Sequence, residues 1–375
     1  MHEHTFHGCP DRPWFFRFWS GMVVSGWLGL LARNRFDITP ARIGMGALGL
    51  VFACINSFLG CAQRVRHGSR IARCALPDDP VFIIGHWRAG TTLVHELLAR
   101  DTRLSCPDTY ACFAPAHFLL TRRWFTPWMT PFIPQRRPTD DLPAGWDRPQ
   151  EDEFALCNLG LPSPYLTMVF PNRPPAWPEY TDLRSLPPAL RRKWTDALLR
   201  FYRCVLVERP GILAAKCPLH TCRIRILLDL FPRARFVHVT RDPFDLFSST
   251  LALWRRLYRD QALQRPRYDA LEERILATFA HVYECYNADQ PLLGPGQLCE
   301  ITYEHLAADP LGQMRRVYAE LGIGDFARAE EGIARELPRL RAHQPARHVL
   351  TSAQQAAVAS RWSGYIARYG YRLPG

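Results

Sequence analysis

The residues from Pro80 to Leu93, PVFIIGHWRAGTTL, set two glycines, an arginine and paired hydroxyls at a spacing that can hold an anion. An apolar run, Val81 to Ile84, leads into Gly85 and Gly90. Thr91 and Thr92 then open a segment with Leu93, Leu97 and Leu98 at helical spacing. Glycines let the backbone approach a phosphate, and the following helix N-terminus adds unpaired N–H donors and a positive dipole end. The plainer reading is a glycine turn. The pattern is close to the phosphate loop G-x-x-x-x-G-K-[ST], but Thr91 stands where that loop has its lysine. No convincing magnesium-binding aspartate follows an apolar strand, so triphosphate hydrolysis is poorly supported.

A second constellation is FVHVTRDPFDLFSST, Phe236 to Thr250. An apolar strand delivers Arg241 at its end, Asp242 and Pro243 open a helix, and Ser249 falls two helical turns on, so that Arg241 and Ser249 can meet one phosphate. Either residue alone reads as a solvated arginine or a cap.

Together these segments resemble the sulfotransferase family that uses 3′-phosphoadenosine 5′-phosphosulfate (PAPS). Arg88-Ala89-Gly90-Thr91-Thr92 is similar to that family's Arg-Ser-Gly-Thr-Thr loop, which grips the 5′-phosphosulfate, with alanine in place of serine. Arg241-Asp242-Pro243 with Ser249 is similar to the segment that grips the 3′-phosphate. The resemblance covers about residues 78–375. It implies a donor site made by Gly85, Arg88, Ala89, Gly90, Thr91, Thr92 and Leu93, with Arg241 and Ser249. Lys216-Cys-Pro-Leu-His220 follows a strand where family members carry a lysine that steadies the sulfonyl group, so Lys216 is the expected catalytic residue. Tyr303-Glu304-His305-Leu306 resembles the element whose tyrosine lies beside the adenine, with His305 replacing an acid. Arg347 is either a closing arginine over the nucleotide or a surface residue.

The base that takes the acceptor's proton stays open among three residues. His220 is either a base or a helix cap. Glu153, in PQEDEFAL with Glu151 and Asp152, belongs either to the acceptor cleft or to an ordinary acidic first turn of a helix. Asp108 lies near the position of a catalytic glutamate in some family members. No metal is expected.

Such a site has to be built by alternating strands and helices. Strand-like runs at Val81–Ile84, Ile212–Ala215, Phe236–Val239 and Leu298–Ile301 alternate with helical runs at Arg223–Leu230, Leu246–Arg256 and Gly312–Leu321. That order predicts an α/β fold with a central parallel sheet, which the resemblance makes a P-loop-like three-layer sandwich, and a ligand site at the strands' C-terminal ends. The proline- and tryptophan-rich stretch from Phe113 to Pro188 reads as irregular substrate-side loops.

Residues 1–77 are expected to form an apolar, arginine-flanked helical segment ahead of a transferase domain at 78–375. Within it, Ser20–Ala32 and Ile43–Ala62 are apolar, and the second is about long enough to cross a bilayer. Three readings stay open: a hairpin packed on the domain, an element lying at a membrane interface, or a true span. His117–Phe132, HFLLTRRWFTPWMTPF, adds aromatics beside Arg122 and Arg123 that either line an apolar entrance or pack as core. The chain of 375 residues has a net charge of +12, which suits anionic ligands or a solvated surface. Its arginines are spread out with no basic tract, which disfavours nucleic acid. The twelve cysteines show no metal-ligand spacing and read as small core residues of a reducing compartment, with Cys54, Cys157 and Cys204 in apolar surroundings.

The expectation is an enzyme that moves the sulfonyl group of PAPS to an alcohol, lipid-like in preference to a sugar. It would be cytoplasmic, with the inner face of the membrane as a place of contact. The rivals are a P-loop kinase or NTPase and a non-catalytic, membrane-associated binding protein.

Overall fold

Val81–Ile84 and Arg235–Thr240 are buried at every position, a pattern that fits interior strands of a sheet covered on both faces. In the computed structural model, which describes residues 17–132, 143–341 and 349–373, they lie side by side in a five-stranded sheet.

In chain order the elements begin α1 (Val24–Arg33), α2 (Ile43–Arg73), β1 (Val81–Ile84), α3 (Thr91–Leu98), β2 (Leu104–Ser105), α4 (Thr109–Phe113), α5 (Phe118–Met129) and α6 (Asp152–Asn158). Then come α7 (Pro188–Glu208), β3 (Ile212–Lys216), α8 (Ile224–Leu230), β4 (Arg235–Thr240), α9 (Pro243–Gln261), α10 (Leu271–Asp289) and β5 (Leu298–Thr302). The C-terminal helices are α11 (Tyr303–Ala308), α12 (Pro310–Leu321), α13 (Ala327–Arg341), α14 (Ser352–Arg361) and α15 (Ser363–Tyr369).

The sheet order is β2-β3-β1-β4-β5 and every pairing is parallel. Ile83 sits opposite Lys216 on one side and Val237 on the other, which brings the ends of β1, β3 and β4 together. Side chains alternate between two cores. Val81, Ile83, Val237 and Val239 face Val94 and Leu97 of α3 and Val317 of α12. Phe82, Ile84 and Phe236 face the opposite core with Trp194 of α7 and Phe279 of α10. This is the three-layer α/β sandwich expected from the strand–helix alternation.

The N-terminal helices share the second core. Trp19 stacks on Trp27 at 4.9 Å, the Val23 N–H donates to the Asn158 carbonyl at 2.9 Å, and the Val24 N–H donates to Ser57 Oγ at 2.9 Å. The segment reaching from 17 to 73 is therefore helical and packed onto the rest of the chain along its length.

Two expectations need correction. The stretch from Phe113 to Pro188 is not irregular throughout, since α5 runs twelve residues through it with Pro127 inside, and α6 follows. Cys54 is exposed on α2, because its apolar neighbours lie on the outer side of that helix, whereas Cys157 and Cys204 are buried as expected.

Candidate active site

The loop after β1 is shaped by its glycines. Gly85 has φ 138° and Gly90 φ 103°, conformations that L side chains rarely adopt. A Cβ at Gly85 would stand 2.5 Å from the Val239 carbonyl oxygen, and one at Gly90 would stand 2.6 Å from the Tyr303 ring. Arg88, between them, is a non-glycine residue at φ 69°, a conformation that survives only where the surroundings hold it. They do so at both ends of the residue: its carbonyl accepts from Arg241 Nη1 at 3.1 Å, and its Nε donates to Ser249 Oγ at 2.8 Å. The loop is anchored at its start by the Gly85 N–H, which donates to Thr221 Oγ1 at 2.8 Å. Ala89 and Thr91 are buried behind it, and Thr92 and Leu93 are half-buried at the start of α3.

Arg241, Ser249 and Tyr303 meet the loop at one corner. The Arg241 guanidinium lies 4.5 Å above the Tyr303 ring, the same ring that packs on Gly90. Its backbone is clasped by Tyr365 of α15, whose hydroxyl accepts from the Arg241 N–H at 3.0 Å and donates to the Arg241 carbonyl at 2.9 Å. Tyr365 lies 124 positions from Arg241, and no local pattern pairs the two. Two arginines, a serine hydroxyl and a helix N-terminus converging on one corner suit a phosphate group.

Lys216 ends β3 on the other side of β1. Its Nζ lies 2.5 Å from Glu151 Oε1 and 3.4 Å from Thr92 Oγ1. The second oxygen of Glu151 accepts from the Tyr165 hydroxyl at 2.5 Å, and that hydroxyl accepts from Trp87 Nε1 of the loop at 3.1 Å. Burial and the Glu151 carboxylate push the Tyr165 phenol well up, so it remains a donor. The Lys216 side chain is 4% exposed and that of Glu151 13%, so the pair is mostly buried, with the carboxylate the more exposed of the two.

The three candidate bases named from the sequence are all buried. His220 is fully buried, with Nε2 2.9 Å from Asp152 Oδ2 and its ring edge-on to Phe82. Burial works against the Asp152 carboxylate, but His220 and the Tyr202 hydroxyl together hold its pKa below the usual range. Glu153 is likewise buried, ion-paired with Arg223 Nη1 at 2.7 Å and accepting from Ser163 Oγ at 2.5 Å. Asp108 caps α4 through the Ala111 N–H at 2.9 Å and pairs with Arg122 at 2.9 Å. Glu153 and Asp108 are ion-paired with arginines, His220 is bonded through Nε2 while its buried Nδ1 has no hydrogen-bond partner among the described residues, and it is Glu151 that stands beside Lys216. Arg347 lies outside the described residues.

The chain matches the family model described as the sulfotransferase family over residues 80–327. It is 41% identical, over 367 residues, to the omega-hydroxy-beta-dihydromenaquinone-9 sulfotransferases Stf3 of Mycobacterium bovis and Mycobacterium tuberculosis, an alignment covering 96% of this chain and 92% of each relative. Its fold is similar to the crystal structure of sulfotransferase STF9 from Mycobacterium avium, with a TM-score of 0.66 at 18% identity, covering 90% of this chain and 88% of that one. The similarity extends to STF1 from Mycobacterium tuberculosis, at 0.63 and 18%, covering 92% and 94%. Glycine loop, arginine–serine corner, sheet order and these likenesses agree, and the kinase and binding-protein readings fall away: the chain belongs to the sulfotransferase family, enzymes that move a sulfonyl group from a PAPS-type donor.

Proposed function

We propose that this enzyme transfers the sulfonyl group of PAPS to the hydroxyl of a lipid-like alcohol, with Glu151 as the general base. The observation that carries the reading is the 2.5 Å pair of Lys216 and Glu151, placed beside the glycine loop whose far corner holds Arg88, Arg241 and Ser249. In this reading the corner takes the 3′-phosphate, the Gly85–Leu93 loop takes the 5′-phosphosulfate, and Tyr303 lies against the adenine. The acceptor oxygen forms a bond to sulfur while the bond from sulfur to the 5′-phosphate oxygen breaks. The acceptor's proton passes to Glu151. Lys216 stabilises charge growing on the sulfonyl and bridging oxygens, which is the larger contribution to such a transfer. No metal is required, because cationic side chains and loop amides already face the anionic groups.

A lipid-like acceptor is supported by two observations. The relatives at 41% identity are named for a hydroxylated dihydromenaquinone, an apolar chain carrying an alcohol. In this chain, a run of touching rings leads to Glu151: Phe113 on Phe154 at 5.8 Å, Phe154 on Tyr165 at 5.2 Å, and Tyr165 on Trp87 at 5.9 Å. These rings belong to the apolar core, and an acceptor that reaches Glu151 beside them gains if it is apolar, whereas a sugar would leave its hydroxyls without partners. The eleven free cysteines among the described residues suit a reducing cytoplasm, with the acceptor met at the inner face of the membrane.

The test is incubation of the enzyme with sulfur-labelled PAPS and a total lipid extract in excess chelator, followed by mass spectrometry. Label in a long-chain alcohol is expected. Label only in soluble sugars, or a strict need for magnesium, overturns the proposal.

A further inference from the structure

Helix α2 has two faces of different character. Its inner face, including Gly49, Ala53, Asn56, Gly60 and Gln63, is buried against the domain. Polar groups fasten it there from end to end. Arg42, just before it, donates to the Gln264 carbonyl at 3.0 Å, Asn56 Nδ2 to the Ser20 carbonyl at 2.8 Å, and Arg70 to the Val207 carbonyl at 2.8 Å. Gln63 Oε1 accepts from the Leu119 N–H at 2.8 Å.

The outer face is apolar and uncovered. Ile43, Val51, Ile55 and Phe58 are 57%, 54%, 48% and 74% exposed, over about 22 Å of helix. Beyond Phe58 the exposed face turns basic, with Arg64, Arg66 and Arg73 flanking the exposed Val65. No acidic residue occurs between Asp37 and Asp78. Alongside lies α5, tied to α2 by His117 Nε2, which donates to Asn56 Oδ1 at 3.0 Å. It leaves Trp124 and Trp128 73% and 79% exposed, next to the exposed Arg123.

Although α2 is long and apolar enough to cross a bilayer, a span would have to strip it from these polar anchors. A continuous exposed apolar face of this size on a folded chain marks a contact surface. Exposed tryptophans with arginines, on two helices that carry no carboxylate of their own, fit the boundary between acyl chains and anionic headgroups.

We infer that the outer face of α2, with Trp124 and Trp128 of α5, seats the enzyme on an anionic bilayer leaflet, α2 lying in the interface plane rather than crossing it. This rests on the lipid-acceptor reading for its purpose but not for its evidence in the fold. The seat is mechanically close to the proposed base. Arg122 of α5 pairs with Asp108, and the segment around Asp108 is hydrogen-bonded to the one before Glu151: the Thr109 N–H donates to the Arg148 carbonyl at 2.8 Å and the Gln150 N–H to the Pro107 carbonyl at 2.9 Å. A lipid whose hydroxyl reaches Glu151 would therefore enter from the face that touches the membrane.

Flotation of the full-length enzyme with phosphatidylcholine vesicles, with and without phosphatidylglycerol, tests this. The wild type is expected to float with the anionic vesicles only. W124S/W128S and F58S, all at exposed positions, should each lower the bound fraction at least about tenfold, and R64E/R66E should remove the dependence on phosphatidylglycerol. Turnover of a short soluble alcohol should stay unchanged in every variant. Absence of flotation at any composition overturns the inference, as does flotation indifferent to all three variants. A dimer in sedimentation equilibrium that F58S dissolves, without flotation, also overturns it and assigns the face to a second copy. If the enzyme floats as described but sulfates only soluble sugars, the seat stands and the acceptor reading fails.

Discussion

Glu151 and Lys216 form the first rung of a three-rung ladder: Glu151 pairs with Lys216, Asp152 with His220 and Glu153 with Arg223, at 2.5, 2.9 and 2.7 Å. Three consecutive carboxylates thus meet three cationic or imidazole groups spread from the last residue of β3 to the residue before α8. The inner two rungs are fully buried and close the ladder against the core. Only the first reaches the glycine loop, through Thr92 and Trp87, so one local sequence supplies both a structural clamp and the carboxylate proposed as the base.

Lys216→Ala is expected to lower kcat by about a hundredfold or more with a small change in donor affinity, as for loss of one preorganised charge. Glu151→Gln should lower kcat by a comparable factor, because the amide cannot accept the proton. Single-turnover kinetics with a calorimetric measure of nucleotide binding separates the two effects. Retained turnover with collapsed nucleotide affinity in Lys216→Ala would make it a binding residue instead.

The ladder also predicts opposite phenotypes for adjacent glutamates. Glu153→Ala strands Arg223 as an uncompensated buried charge and should cost about 3–5 kcal/mol of stability. Glu151→Gln, at the most exposed of the three carboxylates, should leave the urea midpoint nearly unmoved. Equal destabilisation by both substitutions would show that Glu151 belongs to the clamp and not to the chemistry.

Arg241→Ala should weaken 3′,5′-diphosphoadenosine by roughly 2–5 kcal/mol, the scale for breaking a charge-assisted pair at a desolvated site. Adenosine 5′-phosphate, lacking the 3′-phosphate, should lose far less. Calorimetric titration of both ligands decides, and an equal loss for the two would sink the assignment of this corner to the 3′-phosphate.

The strands and the phosphate corner were legible because their signals are local. Val81–Ile84 is an unbroken apolar run that stops at Gly85, Phe236–Val239 is apolar but for His238 and stops near Arg241, and the structure extends the second by one residue at each end. The choice of carboxylate was not legible, because 151, 152 and 153 all satisfy the dipole of one helix start. What separates them is rotation: Glu151 is still extended, at φ −72° and ψ 126°, while Asp152 and Glu153 have entered the first turn of α6 and point inward. Its partner lies 65 positions away, a separation with no local signature. α10 is missing from the elements expected above although Ile275, Phe279, Val282 and Tyr286 recur at helical spacing and are all buried along one stripe. The apolar run of α2 was visible, but only the fold shows that half of it faces outward.

Acid should loosen the enzyme before its carboxylates protonate. Burial depresses both His86, in the glycine loop, and His117, beneath α2, to about 4, against an ordinary histidine value near 6.5. The unfolded chain takes up protons that the folded chain refuses, so stability is full above about pH 6.5 and falls as pH drops toward 4, by up to about 1.4 kcal/mol per pH unit for each histidine. Between pH 7.5 and 5.5 the two together should remove about 2–3 kcal/mol. The consequence reaches function through His117, whose bond to Asn56 ties α5 to α2. Urea unfolding at the two pH values measures the drop, and His117→Gln, which cannot titrate, should recover about half of it. A drop of the same size in the glutamine variant would mean that His117 is not among the groups that make the fold acid-sensitive.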